Sequence, residues 1–193
     1  ADPMAAWQKL GADQQHIVDY LNGCHQMVYI NEKTNISFSV KDRIWINSDG
    51  KANMPSGEVY TGAIEDSING HIYFDVPSIY QGQEVEGIYL EVVDGYITHW
   101  RAEKGQAILD KIMEIDGSRR FGEVAIGTNY SIKQPTKNIL FDEKIGGTIH
   151  MAVGQSYKQT GGKNESTVHW DMIASMGQGR ILADGKCIYE NGF

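Results

Sequence analysis

Glu165-Ser166-Thr167-Val168-His169-Trp170-Asp171-Met172-Ile173 is the stretch on which the fold turns, because polar and apolar residues alternate in it with a period of two. In a β-strand successive side chains point to opposite faces. His169 and Asp171 therefore share one face, and Val168, Trp170 and Met172 share the other. The spacing predicts a strand with an apolar side for a core and an imidazole beside a carboxylate on its second side. That pair suits zinc, cobalt or manganese, and a carboxylate can also bridge two ions. It also suits an ordinary hydrogen-bonded pair, so the rest of the chain decides.

Working outward, the same alternation recurs. Strands are predicted over 27–30, 36–40, 43–46, 59–61, 71–76, 87–93, 96–101, 119–127, 138–141 and 148–153, and a hairpin over 180–189. Asp94-Gly95 and Asp184-Gly185 are two-residue hairpin turns. Helical spacing appears twice, from Leu10 to Leu21, stopped by Gly23, and between Lys104 and Asp116, where Ile108, Ile112 and Ile115 repeat. Two helices and about ten strands make an α+β chain built on a mostly antiparallel sheet or barrel.

A chain of 193 residues is most simply one domain, 1–193, with a sizeable core. Ala1-Asp2-Pro3 ahead of Met4 reads as an appended remnant and is left out of the fold argument. The net charge of −8 disfavours nucleic acid or an anionic membrane as partner. No apolar run approaches the roughly 20 residues of a membrane helix, and no signal peptide is apparent. The 2 cysteines, Cys24 and Cys187, form no Cys-x-x-Cys pair, which argues against a thiolate metal site or disulfide scaffold and for a reducing cytoplasm. The sequons at Asn35 and Asn164 are then chance matches. No Gly-x-Ser-x-Gly elbow, phosphate loop or His-Glu-x-x-His helix is present.

At the ends of the strands stand polar residues that interrupt apolar or glycine-rich runs: Glu58, Glu123, His150, His169 and Asp171, with Glu143 and Tyr157 close to two of them. Singly, each has a plain reading. Glu58 and Glu123 follow glycines and suit exposed turns, His150 suits a hydrogen-bonded sheet histidine, and Glu143 in an Asp-Glu-Lys turn suits solvent. Together they offer enough ligands for two divalent ions about 3.5–4 Å apart, as in two-metal hydrolases.

Four ordered motifs carry a resemblance. Met-Pro-Ser-Gly-Glu-Val-Tyr-Thr-Gly (54–62), Arg-Phe-Gly-Glu-Val-Ala-Ile-Gly-Thr-Asn (120–129), Leu-Phe-Asp-Glu-Lys-Ile-Gly-Gly-Thr-Ile-His (140–150) and Ser-Thr-Val-His-Trp-Asp-Met-Ile (166–173) resemble those of the aminopeptidase T and aminopeptidase S family of metallopeptidases. The resemblance implies a two-metal exopeptidase that removes N-terminal residues from peptides, with zinc, cobalt, manganese or magnesium as the ions. By motif match Glu58, Glu123, His150, His169 and Asp171 are ligands and Tyr157 is the catalytic tyrosine. Glu143 is a ligand, a supporting group or unrelated to the metals. An ion-activated water would lose its proton to Glu123 or Glu143 while Tyr157 hydrogen-bonds the oxyanion. Family members are about twice as long, which makes this chain their C-terminal half without the N-terminal domain, and a homodimer is expected. The alternative is a non-catalytic metal-binding or dimerisation module.

Overall fold

A computed structural model describes residues 2–192 as three α-helices and fourteen β-strands. The longest helix, α1 (Pro3–Leu21), begins earlier than its apolar periodicity, because Asp2 accepts hydrogen bonds from the Met4 and Ala5 amides and Pro3 occupies the first turn. Of the three residues read as a remnant, Pro3 opens this helix and Asp2 caps it, and Ala1 lies outside the described residues.

Seven antiparallel strands form the first sheet: β1 (Gln26–Asn31), β2 (Thr34–Ser39), β5 (Asn69–Phe74), β8 (Ile88–Val93), β9 (Tyr96–Arg101), β13 (Arg180–Ala183) and β14 (Lys186–Glu190), in the order β14-β13-β1-β2-β5-β8-β9. Met27, Tyr29, Ile36, Phe38, Ile72, Phe74, Leu90 and Val92 alternate into one buried side. Both expected Asp-Gly turns are formed, with Asp94, Gly95, Asp184 and Gly185 all at positive φ.

The second sheet positions the site. Its order is β12-β11-β10-β4-β3, from β3 (Ile46–Ser48), β4 (Glu58–Thr61), β10 (Phe121–Gly127), β11 (Thr148–Gly154) and β12 (His169–Ser175). Every residue of β10 and β11 is buried, so both faces of these central strands are covered. One face carries Val59, Val124, Met151, Val153, Trp170 and Met172 into the core shared with the first sheet. Over the other stand the segments that follow β10 and β11, since Ile139, Glu143 and Tyr157 line one cleft with Asp171.

Several elements depart from expectation. The apolar run at 138–141 is not a strand but a short helix, α3 (Ile139–Asp142), with Asn138 accepting from the Leu140 amide at its start. Asp142 is buried and accepts from the Thr136 and Lys137 amides. The strand predicted at 43–46 lies later, as β3, and β12 begins only at His169. Helix α2 (Gln106–Met113) is shorter than predicted. A small hairpin, β6 (Ser78–Tyr80) and β7 (Gln83–Val85), has no counterpart in the sequence reading.

Gly154 closes β11 at φ +96, where an added Cβ would stand 2.1 Å from the Val168 carbonyl oxygen, beside the start of β12. Gly154→Ala combines backbone strain with a backbone clash, and it is expected to lower stability by about 2 kcal/mol or more. Thermal unfolding of the metal-free protein checks this, and an unchanged midpoint would contradict it.

Candidate metal centre

Register brings the predicted residues together. Glu58 lies opposite Gly127, Glu123 opposite Ala152, Ala125 opposite His150, Ala152 opposite Asp171, and Gly154 opposite His169. Directly opposed residues point to the same face of a sheet. Glu58, Glu123, His150, His169 and Asp171 therefore rise from four adjacent strands on one face. The residues between them on that face are Ala125, Gly127, Ala152 and Gly154, small enough to leave room above the sheet. A register shift between Phe121 and Glu123 sets the direction of Glu123.

The side chains meet at ligand-like separations. His150 Nε2 lies 3.1 Å from Glu58 Oε2 and 3.3 Å from Glu123 Oε1. His169 Nε2 lies 3.5 Å from Glu123 Oε2 and 3.4 Å from Asp171 Oδ2. Two ligand atoms on a tetrahedral ion with bonds of about 2.0–2.1 Å stand about 3.3 Å apart, so these distances fit a shared cation. Three groups could hold one: Glu58, Glu123 and His150; Glu123, His169 and Asp171; and Glu143, His150 and Asp171. Glu123 belongs to two of them and turns one oxygen to each imidazole.

Polar satisfaction supports the same reading. Glu58 Oε2 and Asp171 Oδ1 are buried without a hydrogen-bond partner, although Glu58 Oε2 is close to His150. Buried carboxylate oxygens are ordinarily paired, and a cation satisfies such atoms. The His169 Nδ1–H donates to the Gln155 carbonyl at 2.8 Å, so Nε2, which faces the carboxylates, is the nitrogen that would bind an ion on losing its proton. The residues present thus fit a divalent metal.

Without metal the cluster holds protons. Burial, with the charges of Asp171 and Glu58, pushes the Glu123 carboxyl up to about 7 against a hydrogen bond from His150. Burial and the same two carboxylates push Glu143 up to about 7. Burial opposes charge on His169, yet Asp171 and Glu123 outweigh it and raise that imidazole to about 9. His150 is also raised well above its ordinary value by Glu123 and Glu58, against burial.

Tyr157 caps the turn Lys158–Thr160, with its ring 4.9 Å from that of His169 and 5.7 Å from that of Tyr60. With Glu143, Asp171, Ile79, Ile139 and Leu140 it lines a cleft of about 680 Å³. A larger cleft of about 1100 Å³ runs between α1 and the ends of β10, β13 and β14, but it contains none of the clustered carboxylates or imidazoles, and chemistry rather than size marks the site.

Glu143, for which solvent was one reading, is buried, and so is its neighbour Lys144. Sequence reasoning missed Lys144, since a lysine in an Asp-Glu-Lys turn is ordinarily solvated. Its Nζ donates to Glu58 Oε1 at 2.7 Å and to Glu143 Oε1.

The family model described as thermophilic metalloprotease (M29) matches residues 1–193. The chain belongs to that family. Among its M29 relatives is aminopeptidase AmpS of Bacillus subtilis, 34% identical over an alignment covering 99% of this chain and 55% of that protein. The solved structure of wild-type AmpT from Thermus thermophilus superposes with a TM-score of 0.87 at 26% identity, covering 98% of this chain and 55% of the other. A dioxygenase of Pseudomonas putida acting on a dihydroxypyridine shares the fold, with a TM-score of 0.72 at 18% identity. This M29 chain spans about half the length of the curated relatives it matches.

Proposed function

We propose that the chain is a metal-dependent aminopeptidase domain that hydrolyses the N-terminal residue of peptides, with two divalent ions held by Glu58, Glu123, His150, His169 and Asp171. The observation that carries this reading is Glu123, whose two oxygens face the two imidazoles separately, as a bridging carboxylate does. Zinc, cobalt, manganese or magnesium bound there supplies Lewis-acid polarisation of the scissile carbonyl and lowers the pKa of bound water.

The protein's own groups do the rest. Glu143, at the cleft beside Asp171, accepts the proton of the attacking water, because both oxygens of Glu123 are engaged by the imidazoles. Tyr157 donates its phenolic hydrogen to the carbonyl oxygen as negative charge develops there. Ile79, Ile139 and Leu140 border the cleft that receives the end of the peptide. Free cysteines at 24 and 187 favour a cytoplasmic location, and no helix among the described residues is long and apolar enough to cross a membrane. The sheet edge at β14 favours a homodimer, which sedimentation equilibrium distinguishes from a monomer.

The deciding experiment is metal content of the purified chain, followed by hydrolysis of an aminoacyl p-nitroanilide with added cobalt or zinc. His169→Ala and Asp171→Ala are expected to lose metal and turnover together. Glu143→Gln is expected to keep both ions and lose turnover. Two ions without turnover in the wild-type chain would make it a binding module, and no metal at micromolar supply would overturn the reading.

A further inference from the structure

Among the described residues Lys144 is the one cation that touches the candidate metal ligands through hydrogen bonds other than those of the imidazoles, and its position is unusual. It follows α3, where the chain turns back toward β11, and its whole side chain is buried. A fully buried lysine is rare unless paired. Its backbone is pinned as well. The Lys144 carbonyl accepts from the Asn129 amide at 2.9 Å, and the Asn129 carbonyl accepts from the Gly146 amide at 3.0 Å. The Asn129 side chain donates to the Ser56 carbonyl at 2.9 Å. Lys144 is thereby tied to the segment entering β4, which bears Glu58, and to the segment leaving β10, which bears Glu123.

The ammonium takes one oxygen from each of two carboxylates, Oε1 of Glu58 at 2.7 Å and Oε1 of Glu143. Glu58 Oε2, the oxygen nearer His150, keeps no hydrogen bond. A carboxylate held in this way offers a cation one oxygen instead of two, in a fixed direction.

We propose that Lys144 is a positioning residue of the metal centre, one that fixes Glu58 as a single-oxygen ligand and holds Glu143 at the border of the cluster. Two effects of an ammonium next to a metal site oppose each other. Its charge repels the incoming ion, whereas its hydrogen bonds hold the ligands in place and keep neighbouring carboxylates from repelling one another. Here the ammonium sits on the oxygen of Glu58 that does not face His150, so the carboxylate stands between it and the position of the ion. The positioning effect therefore dominates. A lysine suits the task because its three donors adapt to two acceptors at the end of an apolar stem.

The inference rests on the cluster being a metal site, and the experiment separates the two. Cobalt binding to the wild-type chain, by calorimetry and by the visible absorption of the bound ion, tests the site itself. Lys144→Met, close in length and without charge, is then expected to bind cobalt about 10- to 100-fold more weakly, the cost typical of losing a group that orients a ligand. Its cobalt absorption is expected to weaken as Glu58 closes on the ion with both oxygens and the coordination number rises. A packing role alone would lower the unfolding temperature without changing affinity or spectrum. If Lys144→Met does not fold, Lys144→Gln, which keeps a donor for one carboxylate, is measured against the same criteria.

Unchanged affinity and spectrum in a folded variant overturn the proposal. Tighter binding overturns it too, because the ammonium would then be shown to compete with the ion. A wild-type chain that binds no cobalt removes the metal reading, and the role of Lys144 with it.

Discussion

Replacing Glu123 by glutamine is expected to abolish binding of both ions. The reason is geometric. Glu123 alone among the cluster belongs to the group with Glu58 and His150 and also to the group with His169 and Asp171. Loss of groups that merely orient a ligand costs about 10–100-fold in affinity, so loss of a shared ligand is expected to cost more than about 100-fold at each ion. Equilibrium dialysis against zinc or cobalt, read by elemental analysis, gives the stoichiometry. A Glu123→Gln protein that still carried two ions would remove the bridging role.

Misfolding is a separable outcome. Burial raises the Glu123 carboxyl from 4.5 to about 7 in the metal-free protein. A group raised on folding contributes stability that is fully present below its unfolded value, here near pH 4.5, and is lost as pH rises through about 7. A neutral glutamine carries no such loss. The metal-free Glu123→Gln variant is therefore expected to melt at or above the wild-type temperature at pH 8, although it binds no ion, and thermal scans at pH 5 and pH 8 check it.

How much of this was legible in the sequence follows from the periods involved. The two-residue repeat through His169 and Asp171 fixes their common face wherever the strand sits, and the structure keeps them on one face of β12, 3.4 Å apart. The glutamates that follow Gly57 and Gly122 were visible as polar interruptions. What periodicity does not encode is which strand lies beside which. The order β12-β11-β10-β4 turns separate residues into one cluster, and it rests on long-range pairing. The run at 138–141 shows the other limit, because four apolar residues fit a strand or one helical turn equally, and the Asn138 cap with the buried Asp142 decided for the helix. Lys144 was hidden for a related reason: local polarity predicts solvent, whereas the fold of the segment after β10 brings it under Glu58. Strands β6 and β7, of three residues each, are too short for alternation to register.

Tyr157→Phe is expected to lower kcat by about 10²–10³-fold while metal content and KM stay close to those of the wild-type chain, the loss typical of one donor to a developing oxyanion. Burial and the nearby carboxylates of Glu123 and Asp171 raise the phenol above its ordinary value, so it remains a protonated donor throughout the neutral range. The ring is held by His169 and Tyr60, contacts that phenylalanine retains, and the side chain is 42% exposed. Stability is therefore expected to change by no more than about 0.5 kcal/mol. Tyr60 provides the control. Its hydroxyl accepts from Gln159 Nε2 at 2.9 Å, and its ring stands behind Tyr157. Tyr60→Phe should therefore leave kcat within a small factor of wild type. Equal losses in the two variants would point to packing of the ring pair, and full turnover in Tyr157→Phe would leave the charge on the carbonyl oxygen to the metal ions alone.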